Sequence, residues 1–289
     1  MGPARQQIDA NRWHFQHGPI DLVLEAFGAP EAVARAYEQA WRRFETVLEE
    51  LVAELDLLRR PVEETTSAAG AVGRRMVAAC RPYREVFITP MAAVAGAVAD
   101  EVLAAMTEGN AAVTKAYVNN GGDIALHLGA GQTFRVGLVA DAGGPARHGH
   151  PLALDGQFEV TAGMPVRGVA TSGWHGRSWS LGIADSVTVL AANGAAADAA
   201  ATMIGNAVNV EHPAIERRRA CDVDDNTDLG ERPVTVQVGL LPEEAVAIAL
   251  ERGAERARGL VTGGQIWGAV LSLQSRFRVV GGLAGLEGR

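Results

Sequence analysis

The residues best suited to chemistry in this sequence are two hard oxygen donors set one helical turn apart. Asp198 and Thr202 are four residues apart in GAAADAAATMIGN, so a helix there would put a carboxylate and a hydroxyl on one face. Such a pair suits a Mg2+ ion completed by water and a phosphate. The same pattern also arises without a ligand, because the helix dipole favours an Asp near the start and a helix tolerates a Thr.

Other candidates lie on turns. Asn120-Gly121-Gly122-Asp123 accepts positive φ and has flanking amides that a ligand could approach closely, although a plain hairpin turn accounts for the same residues. Thr171-Ser172-Gly173 closes a strand-like run in a turn, and His175 follows it, which makes it a better candidate than a histidine on an arbitrary loop. His148-Gly-His150 could bind a metal but has no third ligand in view. The acids Asp222, Asp224, Asp225 and Asp228 lack the spacing of a calcium loop and read as solvated.

These candidates need a scaffold. Short strands are expected at 13–15 and 20–24 across a Gly-Pro turn, after a loose, flexible leader over 1–11. Pro30 opens a long helix in which Val33, Tyr37, Trp41, Phe44, Leu48 and Leu51 recur every three or four residues, a stripe for the core or a subunit contact. A second helix is expected at 67–79 and a strand at 85–88. Thr89 then caps a helix of very small residues, whose first amides could serve an anion or whose smoothness could serve tight packing. Further strands are expected at 115–118, 124–128, 134–140, 158–161, 166–170 and 185–191, with Asn193 capping the Asp198 helix. The stretch 211–232 reads as irregular, followed by a strand at 234–238, a helix from Pro242 and strands at 266–273 and 277–280. No linker divides the chain. The pattern predicts a single α+β domain over 12–283, with a largely antiparallel sheet and packed helices, and a tail over 284–289.

Composition narrows the function classes. At 289 residues and net charge −8, the chain can bury a substantial core but lacks the basic face that general nucleic-acid binding needs, Arg217-Arg218-Arg219 being the one local exception. The most apolar stretch, 86–99, stops at Asp100-Glu101, too short to span a bilayer, and charges interrupt the N-terminus before any signal core. Cys80 and Cys221 lack metal-ligand spacing and read as free thiols, so the expected compartment is the cytoplasm.

Three segments in order carry a resemblance: TPMAAVAGAVAD (89–100), YVNNGGDIAL (117–126), and GVATSG (168–173) with ADAAAT (197–202). The series resembles the ApbE superfamily of flavin transferases, also known as thiamine-biosynthesis lipoproteins, and more closely its short cytosolic branch without a lipoprotein signal. The resemblance covers about residues 12–283. It implies that Asp198 and Thr202 hold Mg2+, with a backbone carbonyl near 92–94. It also implies that Asn120, Gly121, Gly122, Asp123, Thr171, Ser172 and Gly173 line a site for FAD or FMN. His175 and Asp185 then become the expected catalytic, proton-transferring groups. The chain departs from the family's pattern in three places: Ala95 replaces its lysine, Thr89 its acidic residue, and 174–185 its His-rich segment. Mg-dependent transfer or hydrolysis of a flavin nucleotide is therefore one reading. A non-catalytic flavin- or ligand-binding protein is another, and an enzyme for a different small substrate, rebuilt around 174–179, is a third. A homodimer is expected from the size of the aromatic stripe.

Overall fold

The structure, a computed structural model, describes residues 2–138, 156–176 and 178–283. The His148-His150 pair, Arg177 and the expected tail lie outside the described residues. In chain order the strands are β1 (Ala4–Gln7), β2 (Arg12–His17), β3 (Ile20–Gly28), β4 (Val113–Asn120), β5 (Asp123–Leu128), β6 (Thr133–Leu138), β7 (Gly156–Thr161), β8 (Gly168–Ser172), β9 (Ser186–Ala191), β10 (Ile215–Arg219), β11 (Pro233–Val238), β12 (Gly268–Leu273) and β13 (Arg276–Gly281). The helices are α1 (Pro30–Ala53), α2 (Leu55–Leu58), α3 (Ala71–Cys80), α4 (Val94–Thr107), α5 (Gly194–Ala207), α6 (Ala220–Val223) and α7 (Glu243–Thr262).

The class is α+β, and every strand pairing of defined register is antiparallel. The chain divides into two compact units, the first from 1–134, 160–170 and 191–199, the second from 135–159, 171–190 and 200–289. Each unit draws on three separate stretches. That interleaving is why no change of composition marks a boundary in the sequence.

In the first unit, β1 to β5 pair in sequence order, and the start of β8 joins β5 through Gly168 and Val169. Burial alternates along β3: Ile20, Leu22, Leu24 and Ala26 are buried and the residues between them half-buried, the period of a strand covered on one face. The cover is α1. Phe15 of β2 meets Trp41 at 5.2 Å and Phe44 at 5.5 Å between ring centres, and Trp13 meets Tyr37 at 5.9 Å. Phe15 and Phe44 are fully buried, each burial contributing about 1.5–3 kcal/mol. The aromatic stripe is thus used inside the chain and no longer argues for a subunit contact.

The remaining differences from the sequence reading have local causes. The expected leader contains β1, paired with β2; its residues are all exposed, so no apolar alternation announced it. No strand forms at 85–88, where Ile88 accepts one bond from the Val62 amide. Thr89 is buried, its side chain caps nothing, and the chain enters α4 through a 3-10 turn, Pro90–Ala93. The apolar stretch does not stop at Asp100. Pro90–Thr107 has the length and mean hydropathy, 18 residues and 1.3, of a membrane-crossing helix, but half of it is buried. Both its acids have partners: Asp100 bonds backbone amides, and Glu101 pairs with Arg43 at 2.9 Å and Arg75 at 2.8 Å. We read it as a core helix.

In the second unit, β9, β12 and β13 pair in that order, and α7 packs on β12 and β13 with Leu250 and Leu271 fully buried. The stretch expected to be irregular contains β10, paired with β11, and α6. Charged side chains along β10 hid it. The three arginines have partners on the chain itself: Arg217 bonds Asn209, Arg218 pairs with Glu216 and Arg219 with Asp222.

Small residues on α4 are a packing requirement. A Cβ on Gly96 would lie 2.2 Å from the carbonyl oxygen of Gly194, so only a hydrogen fits. Gly96→Ala should cost about 1–3 kcal/mol in a urea titration. Gly259→Ala, on an open face of α7, should instead stabilise by about 0.5–1 kcal/mol. An unchanged midpoint for Gly96→Ala would refute the contact.

Candidate functional site

The first unit builds a carboxylate site where α4 and α5 begin. Asn193 ends the turn before α5, and its side chain accepts the Ala196 amide at 2.8 Å, the cap its type predicts. The two amides left at that helix start, Gly194 and Ala195, each donate to Asp100 at 2.8 Å from α4. One turn into α5, Asp198 Oδ2 accepts the Gly96 amide at 3.0 Å. At the start of α4, which the sequence offered to an external anion, an amide is therefore directed at a carboxylate of the chain itself.

The β4–β5 turn borders this site. It is a hairpin turn, with Gly121 at φ 66° and Gly122 at φ 115°, and Asn119 accepts the Gly122 amide at 2.8 Å. Asn120 is buried, and its amide donates to the Ala95 carbonyl at 3.1 Å, tying the turn to the start of α4. Asp123 follows, close enough for its charge to act on Asp198.

Electrostatics single out Asp198. It is half-buried, and loss of hydration pushes its carboxyl well above 3.8, reinforced by the negative charges of Asp123 and Asp100 and opposed by the amides of Gly96 and Ala95. Asp100 is raised as well, by burial first, against the pull of the Ala195 and Gly194 amides. A group that excludes negative charge this strongly is a place where a cation gains. Among the described residues, no three His, Cys, Asp or Glu side chains gather as a metal cage. A metal here would need hydroxyl, carbonyl, water or phosphate ligands as well. Thr202 stands one turn beyond Asp198 on α5, half-buried.

The second unit holds the other candidates. Thr171 and Ser172 are the last residues of β8 rather than turn residues; the Thr171 hydroxyl lies 2.9 Å from that of Thr188 on β9. Gly173 begins the turn, where a Cβ would come within 2.2 Å of the Asp185 carbonyl oxygen. Asp185 holds both its oxygens against N–H donors, Trp174 Nε1 at 3.3 Å and the Gln274 amide at 2.6 Å. That is the environment of an anchoring carboxylate. The His175 ring lies against Trp174, with centres 3.7 Å apart.

Sequence reasoning missed Asp100 and Gln274. Asp100 looked like the charged end of an apolar run, and only the approach of α5 makes it a cap. Gln274 was the unremarked turn between two expected strands.

The raised pKa of Asp198 sets a pH dependence. The folded protein keeps a proton that the unfolded chain releases near 3.8, so this group's contribution to stability falls as pH rises from there through the raised folded value, and stays low above it. In metal-free protein at pH 8, Asp198→Asn should therefore raise the Tm. The difference should vanish below pH 4. A lowered Tm at pH 8 would contradict the assignment.

Comparison with known proteins agrees with this architecture. Residues 4–279 match the protein family described as AbpE bacteria. A UPF0280 protein of Methanopyrus kandleri is 37% identical over 196 residues, 65% of this chain and 73% of that one. Another, of Methanothrix thermoacetophila, is 38% identical over 169 residues, 56% of this chain and 64% of that one. Two solved structures share the fold at 12% identity and TM-score 0.52: a point mutant of the flavin transferase ApbE of Vibrio cholerae, matched over 98% of this chain and 99% of that one, and the ApbE protein of Thermotoga maritima, over 96% and 99%. With the family matched over nearly its whole length, the chain belongs to the AbpE bacteria family, within the ApbE-like superfamily.

Proposed function

We propose that this protein binds a flavin nucleotide, FAD or FMN, together with Mg2+. Family and fold support a flavin-related role, since one of the proteins sharing the fold is a flavin transferase. The observation that carries the reading is the state of Asp198, a half-buried carboxylate facing the charge of Asp123, whose raised pKa a divalent cation would relieve. Hard oxygen donors of this kind fit Mg2+, which keeps waters and shares the phosphates of its ligand. Asp198 and Thr202 would hold the ion. Bound there, it would neutralise the charge of a diphosphate.

The chain's own residues would do the rest. The exposed backbone at Gly121 suits a phosphate or a ring edge, with Asn120 fixing the turn that carries it. Thr171, Ser172 and Gly173 would supply hydroxyl and backbone contacts at the end of β8. His175 would be the group able to move a proton, and Asp185 would hold the segment in place.

Binding without transfer is the form of this reading we favour. The family's lysine is Ala95 here, and the carbonyl of that residue is taken by Asn120. Asp185 has no oxygen lacking an N–H partner, which suits support better than proton transfer.

Titration of FAD and FMN into purified protein, followed by flavin fluorescence with and without Mg2+, tests the proposal. Affinity should rise with Mg2+, and Asp198→Ala should remove that rise, leaving binding about tenfold weaker or more, the loss of roughly 1.4 kcal/mol. A wild-type protein that binds neither flavin under either condition would end the flavin reading.

A further inference from the structure

Asp123 stands directly opposite Asn120 across the β4–β5 turn, so the two side chains leave the sheet on the same face. The Asn120 side chain shows where that face points: its amide donates to the Ala95 carbonyl at 3.1 Å, at the start of α4. The next residue, Gly96, donates its amide to Asp198 at 3.0 Å. Strand register and two hydrogen bonds therefore bring Asp123 and Asp198 to one place, and all of these residues belong to the first unit. The electrostatics agree: after lost hydration, the charge of Asp123 is the largest influence raising the Asp198 carboxyl.

The other carboxylate nearby is committed. Asp100 has one oxygen on the Gly194 amide and the other on the Ala195 amide, each at 2.8 Å. Amides that could draw a phosphate into the same space are committed too, Gly96 to Asp198 and Gly122 to the Asn119 side chain at 2.8 Å. A bare diphosphate entering here meets carboxylates and finds these amides taken. A divalent cation meets a pair of hard oxygen donors. Proteins hold Mg2+ through one or two carboxylates, with water and phosphate completing its shell.

We propose that Asp123 is the second carboxylate of the cation site, and that the ion it holds with Asp198 enters before the nucleotide. This deepens the reading above and rests on its metal half alone. It moves Asp123 from the nucleotide-lining turn, where the family resemblance put it, to the ion. A pair of negative charges also favours a divalent over a monovalent cation, since the attraction grows with the product of the charges. With the ion in place, the carboxylates no longer repel a diphosphate.

The test follows Mn2+ alone, through the loss of its free EPR signal, on wild type, Asp123→Asn, Asp123→Glu and Asp198→Ala, with circular dichroism confirming that each is folded. Wild type should bind Mn2+ without any nucleotide. Asp123→Asn keeps the shape and turn chemistry of the residue but drops its charge, and should weaken Mn2+ binding about 10- to 100-fold. Asp123→Glu keeps the charge and should bind more tightly than Asp123→Asn. A purely structural residue would show the opposite order, because Asn is the closer replacement in shape. ADP supplies the second readout. In buffer without metal, Asp123→Asn should bind it at least as well as wild type, whereas loss of a residue that lines the nucleotide would weaken it. Mn2+ affinity unchanged in Asp123→Asn but lost in Asp198→Ala would overturn the role of Asp123 and leave the metal reading standing. A wild type that takes up Mn2+ only once ADP or FMN is added would overturn the order of entry. If it takes up none with either nucleotide, the metal reading fails and the role of Asp123 with it.

Discussion

The near-contact of backbone on backbone between the start of α4 and the start of α5 is the constraint on which the first unit depends. Helices carrying ordinary side chains pack about 8–10 Å apart, and only small residues let them come closer. At Gly96 and Gly194 the approach is so tight that one helix's carbonyl occupies the place of the other's side chain. Closeness on that scale puts the polar groups of both helix starts within reach of each other. Asp100 then serves amides of α5, and Asp198 serves an amide of α4. Each carboxylate crosses from one helix to the other, which fixes register as well as distance.

The same arrangement creates the electrostatic tension that gives the site its chemical character. Asp100 and Asp198 satisfy amides at the positive ends of helices, a favourable pairing. Yet they share a poorly hydrated neighbourhood with Asp123, which the β4–β5 turn delivers through the bond between Asn120 and Ala95. Amide donors offset part of the cost of burying negative charge, and the pKa of Asp198 shows that part of it persists. The site is built to hold its carboxylates in place without neutralising them.

The second unit organises its candidates differently, around one acceptor rather than a cluster. Asp185 gathers a turn amide and an indole, so the positions of Trp174 and of the β12–β13 turn are set together. This is also the stretch where the sequence departs from the family pattern. The departure brings its own support, since Gln274 bonds both the Asp185 carboxylate and the segment at 239–241.

Much of this was legible in the sequence, for physical reasons that differ by element. The long helix and the β2–β3 hairpin were readable because their apolar periods of about 3.6 and 2 are local properties of the chain. Turn chemistry placed Gly18, Asn193 and the Asn119–Asp123 segment, since positive φ and capping select few residue types. Strands without an apolar signal, β1 and β10, were invisible, because pairing alone stabilises them and pairing depends on residues far along the chain. The small-residue helix posed a choice between ligand and neighbour that no local pattern could decide. By itself the sequence determined where the long helices and the β2–β3 and β4–β5 hairpins form, and that Asp198 and Thr202 share a helix face. Only the tertiary structure decided that the amides at the start of α4 face Asp198, that Asp100 caps α5 and that Gln274 braces Asp185. Those bonds join residues from about 90 to more than 100 positions apart, and nothing in the chemistry of either partner names the other until the backbone brings them together.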